Sequence, residues 1–366
     1  MGVSEALERH EACLLAVSGG GDSMALLGYV AEILNAQRQS GTTKPTQAWV
    51  ATVDHGLRPE AKQEAVFVAK EAQRLGFCHT TLTLDPSGIK SENLREARYA
   101  RLVEYAKTVG AQAIFLGHTL DDQAETLVMR AKRATPASAT RGLSGIPARA
   151  THDGIVLERP LLNTGRQTLR AWLTARGTQW LDDPTNENPA YERARTRMNL
   201  TADDTAFPSA LDIARLADLT ARSRAWLNAQ SAHYIINHTT LGPDALVLDH
   251  GSTSAPKSLL MDVYAYCVLV VGGQARRVAR SKLESVVAAH RAGCKHQSTA
   301  GHTVISVQAK RTEFRREWRG GRSPDEGFDL LQATWPGLIR FRPACDDAIM
   351  QAFNRLKDKT KHQSSR

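Results

Sequence analysis

A glycine-rich stretch near the start of the chain has the composition of a phosphate-binding loop. Residues 14–27 read LLAVSGGGDSMALL, so the polar segment SGGGDS (residues 18–23) joins two apolar runs. Such a loop presents successive backbone N–H groups and two hydroxyls at a helix N-terminus, which suits a pyrophosphate. A Walker loop would place a lysine after its last glycine, but Asp22 and Ser23 stand there. We therefore expect a metal ion, with Asp22 as a ligand, to share in neutralising the phosphate; a turn that merely starts a helix is the alternative.

A second polar cluster, GHTLDDQAET (residues 117–126), contains a histidine and several acids. Asp122 and Glu125 are three residues apart, so on a helix they share one face. Paired carboxylates there could bind an ammonium group or Mg²⁺, and His118 could contact a phosphate. The alternative is that Asp121 or Asp122 caps a helix and that His118 only ends a strand.

Strand and helix patterns alternate through the first half of the chain. Strands are predicted at residues 14–18, 48–55, 79–84 and 111–119, and helices at 22–39, 59–76, 91–110 and 120–133. This alternation predicts an α/β fold, a Rossmann-like parallel sheet with helices on both faces. The clusters SGGGDS, VDHGLR and GHTLDDQAET each follow a strand, and such sheets bind ligands beyond the carboxyl ends of their strands. We expect the three clusters to form one site.

The remaining sequence divides by pattern into further segments. Residues 126–152 hold several arginines and no acid, which indicates a long, mobile, basic loop, and residues 181–197 read as a turn-rich polar stretch. We predict a catalytic domain over 1–202, a helical linker over 203–240, and a smaller mixed α/β C-terminal region over 241–366.

Composition narrows the class of protein. The formal net charge of +9 favours an anionic partner such as nucleic acid, although a generally basic surface is the alternative. The five cysteines form no CxxC pair, which argues against a zinc ribbon or a dithiol redox site. No apolar run approaches the roughly 18 residues of a membrane helix, and the acidic start is not typical of a signal peptide. We expect a cytoplasmic protein without a membrane partner.

The ordered motifs resemble those of a known family. SGGGDS resembles the signature of the PP-loop ATP pyrophosphatase superfamily, whose members cleave ATP between the α and β phosphates. The blocks VDHGLR, ENLREARY, GHTLDDQAET, ERPLL and WLDDPTNENPAYERARTR follow it in this order, and together they resemble tRNA(Ile)-lysidine synthetases. The resemblance implies ligation of free L-lysine to C2 of the wobble cytidine in a CAU-anticodon tRNA(Ile). The cytidine is first adenylated, so AMP and pyrophosphate are released.

The resemblance also implies roles for individual residues, with ATP and Mg²⁺ as cofactors and a homodimer as a frequent state. The implied catalytic residues are Asp22, His118, Asp122 and Glu125; of these, the three acids surround the lysine amine, and Asp22 and Asp122 bind the metal. The predicted ATP-binding residues are Ser18, Gly19, Gly20, Gly21, Asp22, Ser23, Asp54, His55, Arg95 and His118. The predicted tRNA-binding residues are Arg133, Arg141, Arg193, Arg197, Arg315 and Arg316.

Two departures from the family pattern leave alternatives open. Ala194 and Thr196 replace the Asn and Ile of an RNRIR-like element, and residues 131–145 form a longer, glycine-poor stretch. That stretch could change anticodon handling or be neutral, and Arg98 could be a solvated helix arginine. Other candidate functions are a tRNA thiolase, against which the scattered cysteines argue, and a non-catalytic, nucleotide-regulated RNA-binding protein, against which the retained acids argue.

Overall fold

The computed structural model divides into two compact units, Met1–Ala134 with Gly142–Thr220, and Thr135–Arg141 with Ala221–Arg366. The described residues are 2–41, 46–56, 60–84, 93–133, 143–182, 190, 192–201, 209–251, 255–273, 277–317, 330, 342–343 and 346–364. The predicted domain boundaries at 202 and 240 stay predictions.

The first unit contains six strands and most of the helices. The strands are β1 (Ala12–Ala16), β2 (Gln47–Asp54), β3 (Cys78–Thr83), β4 (Ala113–Leu116), β5 (Arg149–His152) and β6 (Ile155–Glu158). The helices are α1 (Val3–Glu8), α2 (Gly21–Gln39), α3 (Glu60–Arg74), α4 (Leu94–Thr108), α5 (Leu120–Arg133), α6 (Arg166–Ala175) and α7 (Glu192–Thr201). A long helix, α8 (Ala210–His238), runs from the first unit into the second.

The strands of the first unit form a mostly parallel sheet in the order β5-β6-β4-β1-β2-β3. The β1–β2, β2–β3, β1–β4 and β4–β6 pairs are parallel, whereas β5 pairs antiparallel with its neighbour β6. After β1 the chain builds outward through β2 and β3, then returns to place β4 on the other side of β1. The carboxyl ends of β1 and β4 therefore form the switch point at which such sheets bind ligands.

Apolar side chains cover both faces of this sheet, as the continuous apolar strands predict. Leu15 of β1 packs in one core cluster with side chains of α1, α2, α3 and α6, whereas Leu14 packs in another with side chains of α4. Both leucines are fully buried, which contributes about 1.5–3 kcal/mol per side chain. The helices α2 and α6 approach so closely that a Cβ on Gly28 would lie 2.7 Å from the Trp172 ring. The predicted α/β architecture is confirmed.

The second unit is the predicted mixed α/β region. Its strands are β7 (Thr239–Leu241), β8 (Ala245–Asp249), β9 (His296–Ala300), β10 (Thr303–Val307), β11 (Arg311–Arg316) and β12 (Arg342–Pro343). Its helices are α9 (Lys257–Val271), α10 (Glu284–Ala292), α11 (Asp347–Ser364) and a 3-10 turn at Arg280–Leu283. Five strands form an antiparallel sheet in the order β7-β8-β11-β10-β9. The apolar helix α9 is buried from Leu260 to Val271.

Two predictions about irregular segments were wrong. Residues 192–197 were expected in a turn-rich stretch but lie in α7, because arginines on this helix form ion pairs with an acid of α5. The expected basic loop is shorter than predicted: residues 126–133 continue α5, and 149–152 form β5. Arg58, Ser91 at the start of the helix predicted over 91–110, and residues 134–142 lie outside the described residues. Of the helices that are described, none is both long and apolar enough to cross a membrane.

Candidate active site

The SGGGDS loop connects β1 to α2 and is held closed by its own serines. The Ser23 hydroxyl donates to the Gly20 carbonyl oxygen (2.9 Å) and accepts the Ser18 N–H (3.1 Å). Gly19 has φ +89°, a conformation that L side chains rarely adopt. The loop opens directly into the N-terminus of α2, where free backbone N–H groups attract an anion.

A segment far along the chain lies against this loop. The Leu181 N–H donates to the Gly19 carbonyl oxygen (2.9 Å), and a Cβ on Gly19 would lie 3.2 Å from the Leu181 side chain. A Cβ on Gly21 would meet the Trp180 ring at 3.4 Å. Leu181 thus packs tightly against Gly19, and the Trp180 ring lies at contact distance from Gly21. The sequence analysis had not placed this pair beside the loop.

The loop and the second acidic cluster are joined at the end of β4. A Cβ on Gly117 would lie 3.0 Å from Ser23 Cα and 3.1 Å from the Asp22 carbonyl oxygen. Since β4 lies beside β1, this close backbone approach brings the first turn of α2 next to the first turn of α5. Asp22 and Asp122 thereby come to face one side chain, Arg166.

Three acids meet three arginines at this point. Arg166, the first residue of α6, donates from Nε to Asp22 Oδ2 (3.0 Å) and from Nη2 to Asp122 Oδ1 (3.2 Å), and its Nη1 lies 3.5 Å from Glu125 Oε1. Arg193 on α7 donates to Glu125 Oε2 (2.6 Å) and to Asp122 Oδ1 (2.8 Å). Arg197 donates to Glu125 Oε1 (2.7 Å). We call these six residues the acid–arginine cluster.

The charges of this cluster balance, and its members are strongly coupled. Burial by itself lowers the pKa of Arg166, but Asp22, Asp122 and Glu125 outweigh it and raise that pKa, so Arg166 stays charged. Glu125 is 1% exposed, and ion pairs with arginines are what make a buried carboxylate tolerable. A further cation can therefore bind only if a guanidinium moves away from one of the acids, or if the cation arrives together with an anion.

Asp122 serves as both a helix cap and a site acid. Its Oδ2 accepts the Thr119 N–H (2.8 Å), while the Thr119 hydroxyl oxygen accepts the Asp122 N–H at 3.4 Å, which forms a capping box at the start of α5. Its other oxygen, Oδ1, faces Arg166 and Arg193. Asp121 accepts the Arg166 N–H (2.7 Å) and so satisfies the start of α6. The capping alternative therefore applies to both aspartates, without removing Asp122 from the site.

Asp22 has one carboxylate oxygen that accepts no hydrogen bond from the described residues. Its Oδ1 is buried and has no hydrogen-bond partner in the described part of the chain. Burial, the largest effect, raises the pKa of Asp22, although Arg166 lowers it in part. Within the described ranges no group of three or more His, Cys, Asp or Glu residues could hold a metal ion. Mg²⁺ commonly binds one or two carboxylates plus substrate phosphates, so Asp22 fits it better than Asp122, whose oxygens are both engaged.

His118 follows β4 and lies among arginines. Burial lowers its pKa well below the usual value, and the nearby charges of Arg159, Arg98 and Arg95 lower that pKa further. The imidazole is thus neutral at physiological pH, which suits a hydrogen bond to substrate better than proton donation. Arg95 is exposed and lies over the Tyr99 ring, 5.8 Å from its centroid.

Asp54 and His55 stand at the end of β2, beside the loop strand. Asp54 is 4% exposed, and its Oδ1 accepts the Gly56 N–H (2.8 Å). All three predicted clusters therefore lie at the carboxyl edge of the sheet, on strands that are direct neighbours.

The predicted tRNA-binding arginines occupy different environments. Arg193 and Arg197 belong to the acid–arginine cluster, and Arg133 at the end of α5 pairs with Glu192. Arg315 is exposed on β11 and pairs with Glu313, whereas Arg316 lies beside Gly273. Arg141 lies outside the described residues.

Arg166 was missed by the sequence analysis. It is the first residue of α6, and a single arginine has no spacing signal that links it to acids more than 40 residues away in sequence.

Comparisons with known proteins agree with this geometry. Residues 3–203 match the family model described as PP-loop domain. A tRNA(Ile)-lysidine synthase of Ruegeria pomeroyi is 36% identical over 83% of this chain and 71% of that protein. The chain belongs to the tRNA(Ile)-lysidine synthase family. Enzymes of the same name from Brucella anthropi and a Bradyrhizobium species are 37% and 41% identical, over 78% and 58% of this chain.

Membership of the tRNA(Ile)-lysidine synthase family confirms the prediction made from the ordered motifs. The chain spans only 59% and 58% of the lengths of the Brucella anthropi and Bradyrhizobium relatives. Among solved structures, the U34-tRNA thiolase NcsA from Methanococcus maripaludis is 12% identical with a TM-score of 0.45, over 58% of this chain and 72% of that chain. A similarity this weak carries no argument about function.

Proposed function

We propose that this chain ligates free L-lysine to C2 of the wobble cytidine in a CAU-anticodon tRNA(Ile), at the expense of ATP. One observation carries the proposal: in a chain of this family, Asp22, Asp122 and Glu125 meet in one cluster beside the SGGGDS loop. The relatives named above are tRNA(Ile)-lysidine synthases, which supports the same reaction here.

The first step would be adenylation of the cytidine. The cytidine O2 attacks the α-phosphorus of ATP, an O–P bond forms, and the bond to pyrophosphate breaks. The backbone N–H groups of the loop and of the α2 N-terminus would hold the departing pyrophosphate. Asp22 would hold Mg²⁺, whose charge would neutralise part of the charge of the pyrophosphate. This step makes the C2 oxygen of the cytidine, a poor leaving group by itself, part of AMP, which can leave.

The second step would be attack by lysine. The lysine amine forms a bond to C2, the C2–O bond breaks, and AMP leaves with the oxygen. The charges of the acid–arginine cluster balance before lysine binds. The cluster would therefore bind the lysine ammonium if the Arg166 guanidinium moves away from at least one carboxylate. A carboxylate of the cluster must also take a proton from the amine.

Recognition of tRNA would use the basic surface. The net charge of +9 and exposed arginines such as Arg133 and Arg315 favour contacts with RNA phosphates. The CAU-anticodon specificity, the homodimer and the cytoplasmic location stay predictions.

Product analysis with substrates omitted one at a time tests the two-step reaction. With ATP and the tRNA(Ile) transcript but no lysine, we expect pyrophosphate and adenylated RNA; adding lysine should release AMP. Pyrophosphate release without any RNA, or AMP release that does not depend on lysine, would contradict the proposed order.

A further inference from the structure

Four buried polar groups near the proposed active site lack partners. They are Arg98 Nε, the Tyr99 hydroxyl, His118 Nδ1 and Arg159 Nε, none of which has a hydrogen-bond partner within the described ranges. Arg98 and Tyr99 lie on α4, His118 follows β4, and Arg159 follows β6. Buried polar groups in proteins are almost always paired, so four such groups near one another indicate a missing acceptor. We call them the unpaired cluster.

The charges in this cluster support that conclusion. Arg159 is only 2% exposed; burial lowers its pKa and, together with the charge of Arg95, outweighs Tyr99 and Glu158, which raise that pKa. Burial would raise the pKa of Tyr99, but Arg159, Arg98 and Arg95 outweigh it and lower that pKa. Several guanidiniums that act on the same hydroxyl and imidazole repel one another, and an anion among them would offset the repulsion.

Hydrogen bonds to backbone carbonyl oxygens use only some of the N–H donors of Arg159. Its Nη1 donates to the Pro147 carbonyl oxygen (2.9 Å), and its backbone N–H donates to the Ala148 carbonyl oxygen (2.9 Å). These bonds fix the side chain but leave Nε–H unused. A guanidinium N–H and a phenol O–H are donors that an oxyanion satisfies together.

We propose that Arg159 and Tyr99 bind a phosphate group, through donors other than the backbone N–H groups of the SGGGDS loop. The phosphate comes from ATP or from the RNA backbone, an identification that rests on the proposed function; the oxyanion site itself rests on the four unpaired groups. Neither residue was singled out as a ligand by the sequence motifs.

Affinity measurements on Tyr99→Phe and Arg159→Lys test the proposal. Tyr99→Phe keeps the ring and removes only the unpaired hydroxyl, so the melting temperature should not fall. We expect roughly tenfold weaker phosphate binding in this variant and roughly ten- to hundredfold weaker binding in Arg159→Lys. Tyr105→Phe and Arg101→Lys are matched controls on α4, because Tyr105 pairs with Thr80 and Arg101 with Glu104.

Three probes separate the possible sources of the phosphate. ATP affinity is measured by calorimetry without RNA, tRNA affinity by filter binding without ATP, and inorganic phosphate by its effect on the melting temperature. A loss confined to ATP identifies an ATP phosphate, and a loss confined to tRNA identifies a backbone phosphate. Wild-type affinities for all three probes in the folded Tyr99→Phe variant would overturn the proposal, as would the absence of binding to the wild-type protein.

This design also separates the proposal from the proposed reaction. If the wild-type protein binds ATP and tRNA without transferring lysine, the reaction fails, while the comparison of variants still decides whether the site exists.

Discussion

At the scale of single residues, Asp22 combines a cost in stability with the role in chemistry that we propose for it. Its Oδ1 is buried without a partner in the described structure, and burial raises its pKa. A carboxyl whose pKa is raised on folding binds its proton more tightly in the folded state, so its ionisation lowers stability as the pH rises through that pKa. Near neutral pH the ionised Asp22 therefore opposes folding.

We predict that Asp22→Asn lowers lysine transfer by at least about a hundredfold, the range lost with a general base. The melting temperature at neutral pH should stay the same or rise, because the unfavourable buried charge is removed. Single-turnover transfer and thermal unfolding measure the two effects. Asp212→Asn is the control, since Asp212 is exposed and pairs with Ser209 and Arg215 rather than with a member of the acid–arginine cluster. Near-normal transfer by Asp22→Asn would remove Asp22 from the mechanism.

Gly117 sets the distance between the SGGGDS loop and the GHTLDDQAET cluster. We therefore predict that Gly117→Ala weakens ATP binding by roughly tenfold. The added Cβ would lie 3.0 Å from Ser23 Cα, and this backbone neighbour cannot move without shifting the loop. Calorimetry with ATP measures the effect. Gly2→Ala is the control because a Cβ there meets nothing within 4 Å. Unchanged ATP affinity in Gly117→Ala would show that the loop tolerates the displacement.

At the scale of elements, Glu158 ties the end of α1 to the sheet. At 1% exposure, its carboxylate lies 3.0 Å from His10 Nε2, 3.3 Å from Arg9 Nε and 3.4 Å from Arg149 Nε. Burial by itself would raise the pKa of Glu158, but His10 and Arg9 outweigh it and lower that pKa. Such a group stabilises the fold above its unfolded pKa, and this contribution is lost as the pH falls through the folded pKa.

We predict that Glu158→Gln lowers the free energy of unfolding by about 2 kcal/mol at neutral pH. Glu158 itself is buried, but its partners Arg9 and Arg149 are partly exposed, which limits the effect. The difference from wild type should shrink as the pH falls below 4.5, the ordinary value for glutamate. Urea unfolding over that pH range measures it. A difference that does not change with pH would mean that packing, not charge, makes the contribution.

The elements that could be predicted are those whose pattern is local. The strands β1, β2 and β4 are apolar runs followed by polar clusters, so both their existence and the position of the site follow from the sequence. Helix α9 was not recognised, because it is apolar on all sides and shows no periodic pattern. Helix α7 has few apolar residues, and Arg193 and Arg197 hold it to Glu125 through contacts that no local pattern reveals.

The same reasoning explains which site residues could be found. Asp22, Asp122 and Glu125 stand in recognisable motifs at strand ends, whereas Arg166 joins the site through ion pairs set by the tertiary fold. A motif shows which acids are present, but it does not show which cation neutralises them.

At the scale of the whole molecule, the positive charge should govern tRNA binding. Arg315 is 55% exposed on β11, and its partner Glu313 also pairs with Arg311. If Arg315 contacts an RNA phosphate, Arg315→Gln should weaken tRNA binding similarly for all sequences and reduce the slope of log K against log salt by about 1. Filter binding at several salt concentrations measures this slope, with Lys257→Gln as a charge-matched control at the start of α9. An unchanged slope would place the RNA elsewhere.

The lysine transfer itself tests the central claim most directly. The purified protein is incubated with ATP, Mg²⁺, labelled lysine and a CAU-anticodon tRNA(Ile) transcript, beside a transcript with a changed wobble base and beside the Asp22→Asn variant. We predict label in the first transcript only, attached to the wobble nucleoside after digestion, and at least about a hundredfold slower labelling with the variant. Label in both transcripts, or near-normal transfer by Asp22→Asn, would contradict the account.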